Sequence, residues 1–313
     1  MLAPEFLRLL EQRKSANLPT VGKATPAELR AQTPARVALA GPIPDGVTIE
    51  HREIPTRDST CLEAHLIRPQ SSSSDRSSLV LYFHGGGWVH NTIDIYDASL
   101  ALLAIETGMS VLSVSYRKAP EYPFPIPLHD CLDTLQWCRE HAHLLNVDAD
   151  EIIVAGDSSG GNLAAAVALM ARDVIPLRGQ ILIYPCLDPT LVSDSVQQFA
   201  SGFGLDRTAM QWYWQQYVQD EHLMLDAQVA PLHATNTQGV APAFIAAAEY
   251  DILRDDARLY HDKLQATDAD STYHCYAGTI HGFFTFASVS SMPMELIRDI
   301  AAWIHTLNKQ SMP

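Results

Sequence analysis

Two serines stand side by side in the stretch "GDSSGG", Gly156 to Gly161. Read against the pattern G-x-S-x-G, residues 156–160 fit with Ser158 at the centre. Shifted by one residue the pattern begins on Asp157 and fails. A serine so placed, where a strand turns sharply into a helix, is held strained and exposed, and can act as a nucleophile. The flanking residues must be small to let the chain pass. "EIIVAG" (151–156) and "NLAAAVALM" (162–170) supply the strand before and the helix after. Ser159 then presents its backbone N–H at a helix N-terminus, where it can face a developing negative charge.

Attack by a serine on a carbonyl needs donors for the oxygen of the tetrahedral intermediate. "YFHGGGW", Tyr82 to Trp88, provides a stretch suited to this. Three consecutive glycines are costly in backbone entropy and fit a place where amide N–H groups must converge. His84 reads as a hydrogen bonder that organises this loop, because a base acting with Ser158 is expected last in the chain, in the order Ser, Asp or Glu, His. After Ser158 the best-placed acid is Asp251, just past the run "PAFIAAAEY" (242–250). Glu249 and Asp188 are the second and third choices. Asp255 and Asp256 read as residues of a helix's first turn, favoured there by the helix dipole. His281, in "YAGTIHGFFTF", follows the last strand-like run and is the expected base among 13 histidines. His281 would take the Ser158 proton and return it to the leaving alcohol, while Asp251 orients the imidazole. An acyl-enzyme results, which water cleaves. The chemistry needs no metal and no organic cofactor.

These residues require a scaffold that brings strand ends together. "LVLYF" (79–83), "MSVLSVSY" (109–116), "EIIVAG", "GQILIYP" (179–185), "PAFIAAAEY" and "STYHCYAG" (271–278) are β-rich runs, most nearly continuously apolar. Strands buried on both faces read this way. Helix-length segments separate them, including 128–145, so a mostly parallel doubly wound α/β sheet is expected. Two earlier runs, "GVTIEHREIP" and "CLEAHLIRP", alternate apolar and polar as an edge hairpin would. A serine-rich turn (70–78) follows them. Residues 1–45 and 190–225 break the strand–helix alternation and look helical. The expected organisation is therefore one cap in two pieces, 1–45 and 190–225, over a core of 46–189 and 226–313. Trp88, Phe203, Leu205 and Trp212 are its expected substrate-facing side chains, with packing between cap helices as the other reading.

The totals bound the rest. A chain of 313 residues, 47% apolar, can build a sizeable core, and its formal net charge of −15 argues against nucleic-acid and anionic-membrane partners. Five cysteines, with no CxxC pair, fit reduced thiols in a cytoplasmic protein. No run of 18 apolar residues suggests a membrane span. The pair His141 and His143 lacks the i, i+4 spacing of helical metal ligands.

Taken in order, "HGGGW", "YRKAPEYPFP" (116–125), "GDSSGG", "YDILRDD" and "HGF" (281–283) resemble the hormone-sensitive-lipase-like, or family IV, branch of the α/β-hydrolases. The resemblance implies an α/β-hydrolase fold, a twisted, mostly parallel sheet flanked by helices, with a helical cap. It implies oxyanion donors at Gly86, Gly87 and Ser159, hydrolysis of short- to medium-chain acyl esters, and pairing as a homodimer. Ser159 stands where the branch usually has alanine, Ile252 where proline is usual, and Lys118 where an apolar residue is common. An amidase, a lactonase or a sugar-ester deacetylase would use the same triad. A non-catalytic ligand receptor on the same fold would be expected to lack a triad member.

Overall fold

The computed structural model describes residues 1–16, 18–70 and 77–310. Most of the serine-rich turn, 71–76, lies outside the described residues. Eight strands form one sheet: β1 (Val47–Pro55), β2 (Cys61–Pro69), β3 (Ser77–Phe83), β4 (Ser110–Val114), β5 (Val147–Asp157), β6 (Gly179–Ile183), β7 (Ala243–Tyr250) and β8 (Ser271–Ile280). Their order is β1-β2-β4-β3-β5-β6-β7-β8. β1 pairs antiparallel with β2 and β2 with β4; all later pairings are parallel.

The apolar strands are buried on both faces because each alternates its side chains between two cores. On β3, Leu79, Leu81 and Phe83 enter one core, and Val80 and Tyr82 the other. β7 divides in the same way, with Ile245 and Ala247 on one side and Phe244 and Ala246 on the other. The first core is closed by α5 (Ile126–Glu140), α7 (Ser159–Ala171) and α10 (Arg254–Gln265), through Leu128, Leu163 and Tyr260. The second is closed by α1 (Pro4–Ser15), α4 (Asp97–Thr107) and α11 (Met292–Gln310), through Phe6, Leu100 and Ile297.

Two local features differ from the sequence reading. The hairpin β1–β2 is not wholly at the edge: only β1 is, since β2 pairs with β4. The helical segment 128–145 is broken at His141 into α5 and a short α6 (Ala142–Leu145), which ends on Asn146 in the left-handed region.

Outside the alternation, residues 1–45 form α1, α2 (Pro26–Arg30) and α3 (Thr33–Ala40), and residues 190–225 form α8 (Asp194–Gln198) and α9 (Arg207–Tyr217). The two stretches meet. A Cβ built at Gly204 would lie 3.5 Å from Leu10 Cδ2 and 3.9 Å from Ile280, the residue before His281; one built at Gly22 would lie 3.9 Å from Trp212 Cβ. Among the described residues no helix is long and apolar enough to cross a membrane.

Candidate active site

β5 delivers Ser158 through a turn that only small neighbours permit. A Cβ on Gly156 would overlap the Gly160 carbonyl, and one on Gly160 would overlap the Phe83 carbonyl. Ser158 itself adopts φ 53° and ψ −118°, a strained conformation for a residue with a side chain. α7 begins at the next residue, Ser159.

His281, directly after β8, and Asp251, directly after β7, meet Ser158 there. His281 Nε2 lies 2.9 Å from Ser158 Oγ, and His281 Nδ1 lies 2.6 Å from Asp251 Oδ2. Asp251 is buried and also accepts from the Leu253 amide at 3.0 Å. Held by that carboxylate, the imidazole carries its proton on Nδ1 and leaves Nε2 free to accept from the serine hydroxyl. The ring of Tyr184 packs against His281 with centroids 4.8 Å apart. The other acids are engaged elsewhere. Glu249 accepts from the Gly278 amide at 2.7 Å, and Asp188 lies 3.0 Å from His233 Nε2. Asp255 accepts from the Ser195 amide at 2.8 Å, and Asp256 from the Leu187 and Asp188 amides at 2.9 and 3.1 Å. These two carboxylates thus do more than begin α10: they tie it to α8 and to the segment leading into α8.

The glycine loop runs beside the turn. Gly86 and Gly87 have φ of 123° and 61°. A Cβ on Gly87 would fall within the Tyr213 ring, so the third glycine lets α9 lie against the loop. Among the described residues no acceptor takes the amide N–H of Gly86, Gly87 or Ser159. His84 is buried, its Nδ1 lies 2.7 Å from the Gly85 carbonyl, and its ring stacks on Tyr116 at 4.5 Å. Burial pushes its pKa down to about 3, which keeps it neutral at ordinary pH.

Several residues that hold this loop were not foreseen from sequence. Asp157, the variable position of G-x-S-x-G, is buried. Its Oδ1 accepts from Tyr82 Oη at 2.9 Å and from the Gly85 amide at 2.7 Å, and its Oδ2 accepts from Tyr96 Oη at 3.2 Å. From the N-terminal segment, Arg30 donates to the Val89 and Ala119 carbonyls and pairs with Glu121 at 2.7 Å. Arg36 donates to Asn91 Oδ1 at 2.8 Å. From α9, Tyr213 Oη lies 2.6 Å from His90 Nε2. Burial, with Arg36 beside it, pushes the His90 pKa down and favours the neutral imidazole in this contact. Only the register of Asp157 within its motif offered a sequence signal; the other partners come from distant segments with no shared pattern.

Of the four expected substrate-facing side chains, Trp88 is fully buried. It stacks on Tyr217 with centroids 4.3 Å apart and planes 2° apart, and packs against Trp214. Its indole is used to seat α9 on the loop and has no surface left for a ligand. Phe203 is half-buried and forms a trio with Phe199 and Tyr250, the residue before Asp251. Leu205 is half-buried against the first core, and Trp212 is half-buried edge-on to Tyr213.

The family model described as "alpha/beta hydrolase fold" matches residues 80–285. The chain belongs to this family. Its ordered motifs put it in the hormone-sensitive-lipase-like branch. It is 33% identical over 295 residues to an ethyl acetate hydrolase of Pseudomonas putida, covering 91% of each chain. It is 31% identical over 312 residues to an arylesterase of Saccharolobus solfataricus, covering 96% of this chain and 99% of that one. Among solved structures, an ester hydrolase from the metagenome of Lake Arreo superposes with a TM-score of 0.92 at 32% identity, over 97% of this chain and 98% of that one.

Proposed function

We propose that this α/β-hydrolase is a serine carboxylesterase acting on short- to medium-chain acyl esters. The observation that carries the reading is the relay Ser158 Oγ, His281 Nε2, His281 Nδ1, Asp251 Oδ2, with links of 2.9 and 2.6 Å. His281 takes the Ser158 proton as the oxygen attacks the ester carbonyl, and Asp251 stabilises the imidazolium that forms. The oxyanion is received by the amides of Gly86, Gly87 and Ser159, whose freedom from protein acceptors supports that role. Collapse of the tetrahedral intermediate passes the proton from His281 to the departing alcohol. Water then repeats the sequence on the acyl-enzyme and frees the acid. Relatives named as ethyl acetate hydrolase and arylesterase support small esters as the substrate class.

In the same reading residues 1–45 and 190–225 act together as a cap. Their mutual contacts at Gly22 and Gly204, and the grip of Arg30, Arg36 and Tyr213 on the glycine loop, support it. Phe203, Leu205 and Trp212, all half-buried, are the wall residues that remain available to a substrate. Five unpaired cysteines, three of them buried, support a reducing, cytoplasmic setting.

The test is a series of p-nitrophenyl esters of increasing acyl length, run on wild type and on Ser158→Ala. Turnover should fall with the longer acyl chains and vanish in the alanine variant. Activity retained by Ser158→Ala would remove the nucleophile. An equal response to every chain length would remove Phe203, Leu205 and Trp212 as walls that limit the acyl group.

A further inference from the structure

The face of the β1–β2 hairpin turned toward α4 carries side chains that ester hydrolysis does not use. His51 on β1 and His65 on β2 are directly opposed across the antiparallel pair, with ring centroids 4.5 Å apart. Glu63, two residues before His65, shares that face, and its Oε1 lies 4.0 Å from His51 Nδ1. Asp97, the first residue of α4, approaches from the helix side; its two oxygens lie 2.9 and 3.1 Å from His65 Nδ1. The His65 side chain is only 3% exposed, yet its other ring nitrogen, Nε2, is shielded and without a hydrogen-bond partner among the described residues. A buried polar atom left in this way is destabilising, because the water it gave up has not been replaced. The charges are also unbalanced. Glu53 directly opposes Glu63 across the strands, and like charges in that position repel.

One donor atom from each of His51, Glu63 and His65 lies within 4.8 Å of the other two. The geometry points to a zinc site at this sheet edge, ligated by His51, Glu63 and Nε2 of His65, with Asp97 as the residue that orients His65. Two imidazoles and a carboxylate fill three positions of a tetrahedral zinc and leave the fourth for water. Asp97 keeps the His65 proton on Nδ1, so that Nε2 presents a lone pair; a carboxylate behind a ligating histidine has this function at metal sites generally. His65 is held in place, whereas His51 and Glu63 are 73% and 65% exposed and free to close onto the ion. The cation would satisfy Nε2, relieve the Glu53–Glu63 repulsion and fasten the edge strand to β2 and, through Asp97, to α4. Two strands, β4 and β3, separate β2 from the Ser158-bearing β5, so the ion has a structural role and no part in the ester chemistry.

The whole chain, stripped with a chelator, is titrated with zinc chloride by calorimetry while its melting temperature is followed. One equivalent should bind saturably and raise the melting temperature. His51→Ala and Glu63→Gln, both at exposed positions, should each weaken binding by roughly tenfold or more, abolish the thermal gain and leave metal-free ester hydrolysis unchanged. Asp97→Asn should weaken zinc binding by about 10–100-fold. Cobalt(II) should give the intense visible bands of a tetrahedral site in wild type and lose them in His51→Ala. Absence of saturable binding to wild type, or unaltered binding in both His51→Ala and Glu63→Gln, would overturn the assignment; the second result would put the ion on other histidines of the chain.

Discussion

Asp157 allows the electrostatics beneath the glycine loop to be measured directly. Burial pushes its carboxyl up to about 6 from an ordinary 3.8, although Tyr82, the Gly85 amide and Tyr96 all donate to it and pull the other way. The folded protein therefore holds the Asp157 proton more tightly than the unfolded chain does between about pH 4 and pH 6. Stability contributed by this proton is fully present below the unfolded value and is lost as pH rises through the folded one. Two pH units at about 1.4 kcal/mol each put the change on the order of 3 kcal/mol. Asp157→Asn has no such proton, so its stability should lack this slope. The variant also leaves Tyr96 facing an amide donor, but that cost does not depend on pH and cancels in the comparison. Urea unfolding of both proteins at intervals between about pH 4 and pH 7 should show the asparagine variant gaining on wild type by on the order of 3 kcal/mol as pH rises. Parallel curves would refute the argument that burial dominates at this carboxyl. Divergence in the opposite sense would mean that the three donors outweigh burial. Turnover should fall by less than about tenfold, because the asparagine oxygen can still accept from Gly85; removing an oxyanion donor outright costs about 10²–10³.

Gly87→Ala should lower kcat by about 10²–10³ while the far-ultraviolet circular dichroism stays native, since the added methyl falls within the Tyr213 ring and must displace the loop; wild-type turnover would show that this loop is not where the oxyanion is received. Asp251→Asn should lower kcat by about 10³–10⁴ through the wrong imidazole tautomer. Asp255→Asn, whose carboxylate holds the Ser195 amide, should instead cost about 1–3 kcal/mol of stability. Equal losses of turnover in steady-state assays of the two variants would move the catalytic acid away from Asp251.

What could be read in the sequence follows from which forces leave a local trace. β3, β6 and β7 are legible because strands buried on both faces are apolar along most of their length, and the two cores divide those positions alternately. Ser158 and Asp251 are legible because each stands at the end of a largely apolar strand, and His281 because it follows the last β-rich run, in an order that the chain preserves. The start of β5 is not: "VDADE" is polar, and Val147 pairs with Ser77 before the apolar run begins. The break at His141 is not, because apolar spacing continues across it while the backbone turns. Least legible is the support of the glycine loop. Arg30 reaches residues 89 and 119, Tyr213 reaches residue 90, and Tyr96 reaches residue 157. Each link joins residues 59 to 123 apart in the chain, and no periodicity records such a pairing. Trp88 shows the consequence. From the sequence, an indole beside three glycines suggests a ligand contact. In the fold, its stacking on Tyr217 makes it the surface against which α9 is set. The same loop that offers amides to the ester is thereby clamped by α9 above and Asp157 below, so the geometry of oxyanion binding depends on contacts made by residues that touch no substrate.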